Sequence, residues 1–144
     1  MIKVHATCVE VGGAGVLLRG VPGSGKSDLA LRLIGGGARL VADDYTEIKK
    51  RDGCLAASAP EAIAGMMEVR GIGLIRLECA VECTLRLVVD LVPAAGVERL
   101  PDPETCEYLG ISLPLFRFSA FEESTVVKIR LAAGIAGGTI KLIE

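Results

Sequence analysis

The chain contains, at residues 20–27, the stretch Gly20-Val21-Pro22-Gly23-Ser24-Gly25-Lys26-Ser27. It matches the phosphate-binding pattern G-x-x-x-x-G-K-[ST] at every fixed position. Its glycines permit positive φ angles, so that backbone N–H groups can surround a phosphate. In this pattern the lysine reaches the β- and γ-phosphates of a nucleotide, and the serine hydroxyl suits Mg²⁺. All eight residues, called the phosphate loop below, are therefore predicted to form a nucleotide site.

The segments around the phosphate loop show strand and helix patterns in alternation. Apolar runs and alternations predict strands over 3–11, 16–19, 39–42, 45–49, 54–57, 84–92 and 111–118. Helices are predicted over 28–34 and from Thr125 onward, while 66–77 is predicted to be a turn between short elements. The run 84–92 is the most apolar, which favours a central strand, and Pro114 favours an edge or a bend in 111–118. The predicted fold is α/β, a mixed sheet with antiparallel hairpins.

The composition excludes several classes of protein. Lys and Arg total 16 against 18 Asp and Glu, a formal charge of −2, which argues against a general nucleic-acid binder. No apolar run approaches the roughly 20 residues of a membrane span, and no secretory signal is visible at the amino terminus. The five cysteines form no C-x-x-C pair, which favours free thiols in a reducing compartment. We therefore expect one cytoplasmic domain over residues 1–144.

Two consecutive carboxylates, Asp43 and Asp44, follow the predicted strand 39–42. We expect this strand to lie beside the strand that precedes the phosphate loop, where ligands of open α/β sheets bind. One acid could then hold Mg²⁺ or its water while the other deprotonates a hydroxyl nucleophile. A solvated turn is the alternative for the pair, and a surface imidazole is the alternative for the only histidine, His5. The chain also lacks room for the lids of small-molecule kinases, which favours a protein substrate.

Four segments together resemble the catalytic domain of the HPr kinase/phosphorylase family. They are His-Ala-Thr-Cys-Val at 5–9, residues 15–31, Arg-Leu-Val-Ala-Asp-Asp at 39–44, and Met-Glu-Val-Arg-Gly-Ile-Gly-Leu-Ile at 67–75. The last is similar to the family signature Leu-Glu-Ile-Arg-Gly-Leu-Gly-Ile-Ile. The resemblance implies a kinase core with a phosphate loop, related to phosphoenolpyruvate carboxykinase-type folds. It also implies ATP- and Mg²⁺-dependent phosphorylation of a serine in an HPr-like phosphocarrier of a phosphotransferase system, by a homo-oligomer that is a hexamer in the family.

The resemblance also implies roles for individual residues. Asp44 would be the base in phosphorylation and the acid in the reverse reaction, with Lys26 and His5 at the phosphates. Ser27 and Glu68 would bind Mg²⁺, with Asp43 as a further metal candidate. The segment Val97-Glu98-Arg99-Leu100 resembles the one that carries the family's catalytic arginine, so Arg99 is the candidate, against the alternative of a solvated loop arginine.

Two departures from the family pattern bear on activity. Long members carry an amino-terminal domain, whereas we expect only the catalytic domain here. Long members also have an Arg-Pro-Gly-Arg-Asn segment tied to dephosphorylation, where this chain has Ser119-Ala-Phe-Glu-Glu-Ser124. Because an acidic loop repels inorganic phosphate, phosphorolysis is expected to be weak or absent. A small-molecule kinase and a non-catalytic nucleotide-binding regulatory module remain alternatives to the serine kinase.

Overall fold

The computed structural model describes residues 1–143 of the chain. Eleven strands occur in these residues: β1 Ile2–Val4, β2 Thr7–Val11, β3 Ala14–Arg19, β4 Arg39–Ala42, β5 Thr46–Arg51, β6 Cys54–Ser58, β7 Met66–Val69, β8 Gly73–Arg76, β9 Cys83–Leu91, β10 Glu104–Tyr108 and β11 Ile111–Phe118. Two α-helices accompany them, α1 Lys26–Gly35 and α2 Thr125–Ala136. Single 3₁₀ turns lie at Glu61–Ile63 and Ala94–Gly96. No helix in the described part is long and apolar enough to cross a membrane.

Strand β9 is the centre of a mixed sheet in the order β1-β5-β6-β9-β3-β2-β4. It pairs in parallel with β3 on one side, and on the other with β6 at its start and in parallel with β11 at its end. The remaining pairs of this sheet are antiparallel, and β7 with β8 forms a separate antiparallel ribbon. The predictions of a mixed α/β sheet with hairpins and of a central strand at 84–92 are confirmed.

The sheet divides two apolar cores. Helices α1 and α2 cover one face, where Leu29 and Ile129 meet Leu87 and Val89 of the central strand. The opposite face is enclosed by the curl of the sheet, and there Val88 packs with residues of β2, β5, β6 and β11. Because strands β3, β9 and β11 are parallel, their carboxyl ends lie at one edge of the sheet, and the phosphate loop leaves β3 at that edge.

Two local predictions were wrong, and one alternative of a third is excluded. The strand predicted over 3–11 is interrupted at His5 and Ala6, where the Ala6 amide turns back to the Val4 carbonyl at 3.1 Å. Strand β4 pairs with β2 and not with β3, so one strand separates the paired aspartates from the phosphate-loop strand. For 111–118 only the edge-strand alternative is excluded, because β11 lies between β9 and β10. Pro114 is accommodated there because pairing with β9 begins only at Leu115.

Candidate active site

The phosphate loop joins β3 to α1, as its sequence predicts. Gly23 and Gly25 have φ angles of 83° and 95°, a region that favours glycine, and Gly25 is the residue from which α1 begins. Lys26 is buried, and its Nζ donates to the carbonyls of Gly20 at 2.6 Å and Val21 at 3.3 Å. The ammonium group is thus held over the loop, beside the positive end of the helix dipole.

Asp43 is the carboxylate that contacts the phosphate loop. The Ser27 hydroxyl donates to its Oδ1 at 2.8 Å, and Thr7 Oγ1 donates to the same oxygen at 3.1 Å. The residue is 8% exposed. A serine hydroxyl and a carboxylate are hard oxygen donors, the kind of set that Mg²⁺ takes. These side chains therefore fit the metal that the motif implies, with Asp43 in a more direct position than the sequence indicated.

Asp44 faces a different neighbour. Its φ angle is 69°, and this left-handed conformation ends β4 and turns the second carboxylate away from the first. Oδ1 of Asp44 lies 2.8 Å from Nε2 of His5, and the side chain is 63% exposed. The His5 ring also stacks on Tyr45, with ring centroids 4.9 Å apart. His5 is therefore a partner of Asp44, held in place by Tyr45, and not an isolated surface imidazole.

Glu68 and Arg99 lie outside this hydrogen-bonded group. Glu68 is exposed on β7, because its neighbours Met67 and Val69 point into the core under α1. Arg99 is exposed in the loop between β9 and β10. Within residues 1–143, no hydrogen bond or ion pair connects either side chain to His5, Lys26 or the aspartates.

An arginine–aspartate pair at the same edge was missed from the sequence. Arg19, the residue before the phosphate loop, donates through two nitrogens to the carboxylate of Asp90 on β9, at 2.7 and 2.9 Å. A third nitrogen donates to Tyr108 Oη at 3.1 Å and Cys106 Sγ at 3.2 Å. The Asp90 carboxylate raises the pKa of Arg19 still further above its usual range. The only signal in the sequence was a charged residue at the end of each of two apolar strands.

The acidic segment 119–124 lies directly against the phosphate loop. A Cβ added to Gly25 would come within 2.8 Å of the Ala120 Cβ and 3.3 Å of the Phe121 ring. Glu122 accepts from Lys128 Nζ at 3.3 Å. Glu122 and Glu123 also line a cavity of about 380 Å³, together with Asp28, Arg32, Phe121 and Val126. The segment thus places acidic groups beside the first turn of α1.

The fold, the phosphate loop and the carboxylates at the same sheet edge define an α/β domain of the phosphate-loop class. A family model, HPr Serine kinase C-terminal domain, matches residues 1–119. The chain therefore belongs to the HPr serine kinase C-terminal domain family.

Named relatives agree with this family. The chain is 48% identical over 73 residues to an HPr kinase/phosphorylase of Clostridium botulinum and 51% identical over 75 residues to one of Geobacillus sp.. Each match covers 51% of this chain but only 24% of the relative, so the chain spans about a quarter of these proteins. The solved structure of the Hpr(Ser) kinase/phosphatase from Coxiella burnetii superposes with a TM-score of 0.81 at 27% identity, covering 90% of this chain and 87% of that one.

Proposed function

We propose that the chain is an ATP- and Mg²⁺-dependent protein kinase that phosphorylates a serine of an HPr-like phosphocarrier. The observation that carries this proposal is the difference in contacts between the two adjacent aspartates. Asp43 is tied to Ser27 of the phosphate loop, whereas Asp44 is exposed and held by His5. One carboxylate thus serves the nucleotide side of the site, and the other is free to meet a hydroxyl group.

The residues that would hold the nucleotide and its metal are close together. The amides of the phosphate loop and Lys26 bind the phosphates of ATP, with His5 beside them. Ser27 and Asp43 would hold Mg²⁺, and Glu68 is the third metal candidate, supported by the family signature around it. When bound, the ion offsets the charge of the phosphate oxygens.

Phosphoryl transfer then follows from the position of Asp44. Its carboxylate accepts the proton of the substrate serine hydroxyl as the serine oxygen bonds to the γ-phosphorus. The bond between that phosphorus and the β–γ bridging oxygen breaks, and ADP leaves with the electron pair. Lys26 and Arg99 offset the charge that develops on the transferred group. His5 orients Asp44 through the contact of 2.8 Å.

A protein substrate suits the open surface at this edge. Val21, within the phosphate loop, and Phe121, whose ring lies beside Gly25 of the loop, are 73% and 74% exposed. Apolar side chains placed in this way favour coverage by a partner surface, which would also keep water from the phosphates. We infer a homo-oligomeric, cytoplasmic enzyme by analogy with the family, and weak phosphorolysis from the acidic segment beside the phosphate loop.

The test is to incubate the protein with labelled ATP, Mg²⁺ and a panel of HPr-like carriers, and to measure the transfer of label. Label on a carrier serine is expected, and it should disappear when that serine is replaced by alanine. Transfer only to small metabolites would instead establish a small-molecule kinase. Tight ATP binding without any transfer would establish a regulatory nucleotide-binding module.

A further inference from the structure

A second cavity lies at the end of the molecule opposite to the phosphate loop. Its volume is about 610 Å³, within the range of small-molecule sites. It is bordered by the turn between β2 and β3, by the carboxyl ends of α1 and α2, and by the central strand β9. Helix α1 begins at Lys26 and ends at Gly35, so its length of about 15 Å separates this cavity from the phosphate loop.

A β-bulge turns one arginine toward this cavity. Gly15 is opposite Leu85, but the next residue of β3, Val16, is opposite Leu87, so Arg86 is an extra residue in β9. Leu85 packs in the core away from the helices and Leu87 in the core beneath them, which an unbroken alternation does not allow. In a regular strand Arg86 would share the face of Val88, whereas here it lines the cavity on the helix side. Bulges commonly redirect a side chain in this way.

A second arginine lines the same space. Arg130 of α2 donates through Nη2 to the Gly36 carbonyl at the end of α1, at 3.0 Å. A guanidinium group has five N–H donors, so this contact leaves others for a ligand. Arg86 makes no hydrogen bond or ion pair with any residue in 1–143. No acidic side chain is among the cavity's lining residues in the described part of the chain.

Backbone groups complete the donor set. Gly12 and Gly13 form the turn between β2 and β3 with φ angles of 56° and 87°, and both line the cavity. Within residues 1–143, neither of their N–H groups donates a hydrogen bond to a backbone carbonyl. Apart from Thr139, whose hydroxyl donates to the Gly134 carbonyl at 3.2 Å, the rest of the wall is made of glycines and small apolar side chains, namely Val11, Ala14, Ala38 and Ala133. Two guanidinium groups and free amides around a small apolar floor suit an oxyanion on a compact ligand.

We propose that this cavity binds a small anionic metabolite, with its phosphate or carboxylate group held by Arg86 and Arg130. The site is separate from the nucleotide site and does not depend on the proposed kinase activity. Phosphate and carboxylate groups share the chemistry that a guanidinium fork recognises, so the two sources are distinguished by experiment.

The test uses amide NMR spectra of the ¹⁵N-labelled chain, titrated separately with inorganic phosphate and with malonate. Lys26→Ala serves as the background, because loss of this ammonium group is expected to weaken anion binding at the phosphate loop. We expect saturable shifts at Gly12, Gly13, Gly36 and Gly37, from phosphate if the ligand is a phosphate ester or from malonate if it is a carboxylate. Arg86→Gln should weaken the apparent affinity at least about tenfold, the scale of one lost charged hydrogen bond.

The matched control is Arg51→Gln, which removes an equal charge from an exposed arginine in the β5–β6 hairpin. It should leave the shifts unchanged, and Arg86→Lys, which keeps the charge but loses the fork, should bind with intermediate affinity. Shifts confined to residues 20–27 with both anions would overturn the proposal. Equal affinities of Arg86→Gln and Arg51→Gln would overturn it as well, whatever the kinase assay shows.

Discussion

The hydroxyl of Ser27 donates to Oδ1 of Asp43 at 2.8 Å, across the gap between the start of α1 and the end of β4. The next residue, Asp44, has no part in this contact, because its φ angle of 69° turns its carboxylate to His5. Two adjacent acids of the same type therefore have different surroundings, one buried against the loop and one exposed. The predictions for the two acids differ accordingly.

Asp44→Asn is expected to slow the chemical step by about 10²–10⁴, the usual contribution of a positioned acid–base group. Nucleotide affinity should be nearly unchanged, because Asp44 has no contact with the phosphate loop. Single-turnover phosphorylation and ATP titration measure the two quantities separately. Lys26→Ala provides the contrast, since it should weaken ATP binding itself. Near-normal turnover of Asp44→Asn would show that the base lies elsewhere, with Asp43 the next residue to examine.

Asp43→Asn should increase the Mg²⁺ concentration that the reaction requires. Its carboxylate accepts from both Ser27 and Thr7, and removing its charge takes away the strongest ligand for a hard cation near Ser27. We expect the Mg²⁺ concentration for half-maximal activity to rise at least about tenfold. Asp52→Asn, in the exposed turn between β5 and β6, is the control for a lost charge. An unchanged Mg²⁺ dependence would remove Asp43 from the metal site.

Much of the fold could be predicted because its signals are local. The phosphate loop, α1 and the β5–β6 hairpin each depend on glycine positions and short apolar periods, and the structure confirms them. The neighbour of β4 could not be predicted, because register between distant strands depends on packing. The Arg19–Asp90 pair could not be predicted either, because the two residues are 71 positions apart and meet only through the pairing of β3 with β9. The bulge at Arg86 arises because Leu85 and Leu87 of β9 pack into different cores. The residues that build these cores are spread over the chain, so no single segment predicts the bulge.

Asp90→Asn should destabilise the protein. The Arg19–Asp90 pair is bidentate, with side chains only 30% and 20% exposed, and it joins β3 to β9 just before the phosphate loop. Removing the negative charge leaves the guanidinium group partly buried without its counter-ion. We expect a loss of about 1–3 kcal/mol in the free energy of unfolding, measured by urea denaturation. Glu104→Gln, which disrupts the exposed Arg117–Glu104 pair, should cost much less. Equal losses would show that the partly buried Arg19–Asp90 pair contributes nothing beyond a surface ion pair.

The raised pKa of Tyr108 predicts that the free energy of unfolding falls at alkaline pH. Burial raises the pKa of its hydroxyl above the ordinary value of 10.0, although Arg19 opposes this shift. A raised pKa in the folded state means that the stabilisation is complete below pH 10 and is lost as the pH rises through the folded value. The stability advantage of wild type over Tyr108→Phe should therefore shrink above about pH 10. Urea denaturation of both proteins over this range measures it, and an advantage that grows with pH would contradict the assignment.

The position of Glu122 and Glu123 predicts that phosphorylation is favoured over phosphorolysis. Phosphorolysis requires inorganic phosphate as an additional anion beside the phosphoserine, and these carboxylates lie next to the first turn of α1 with Asp28. At about 6 Å, each like-charge contact costs about 1–3 kcal/mol after screening by salt, which corresponds to at least a roughly fivefold loss of phosphate affinity. Lys128 offsets part of this repulsion at Glu122, so Glu123 should have the larger effect.

We therefore expect pyrophosphate release from a phosphoserine carrier to be weak in wild type at millimolar phosphate. Glu122→Arg/Glu123→Arg should raise it at least about tenfold, and Glu123→Arg alone should give most of that gain while keeping the Glu122–Lys128 pair. Glu61→Arg/Glu107→Arg makes the same change in net charge at exposed sites away from the loop and should have no effect. Robust release by wild type would contradict the prediction. An equal gain in the control pair would show that overall charge, and not the acidic segment beside the phosphate loop, sets the direction.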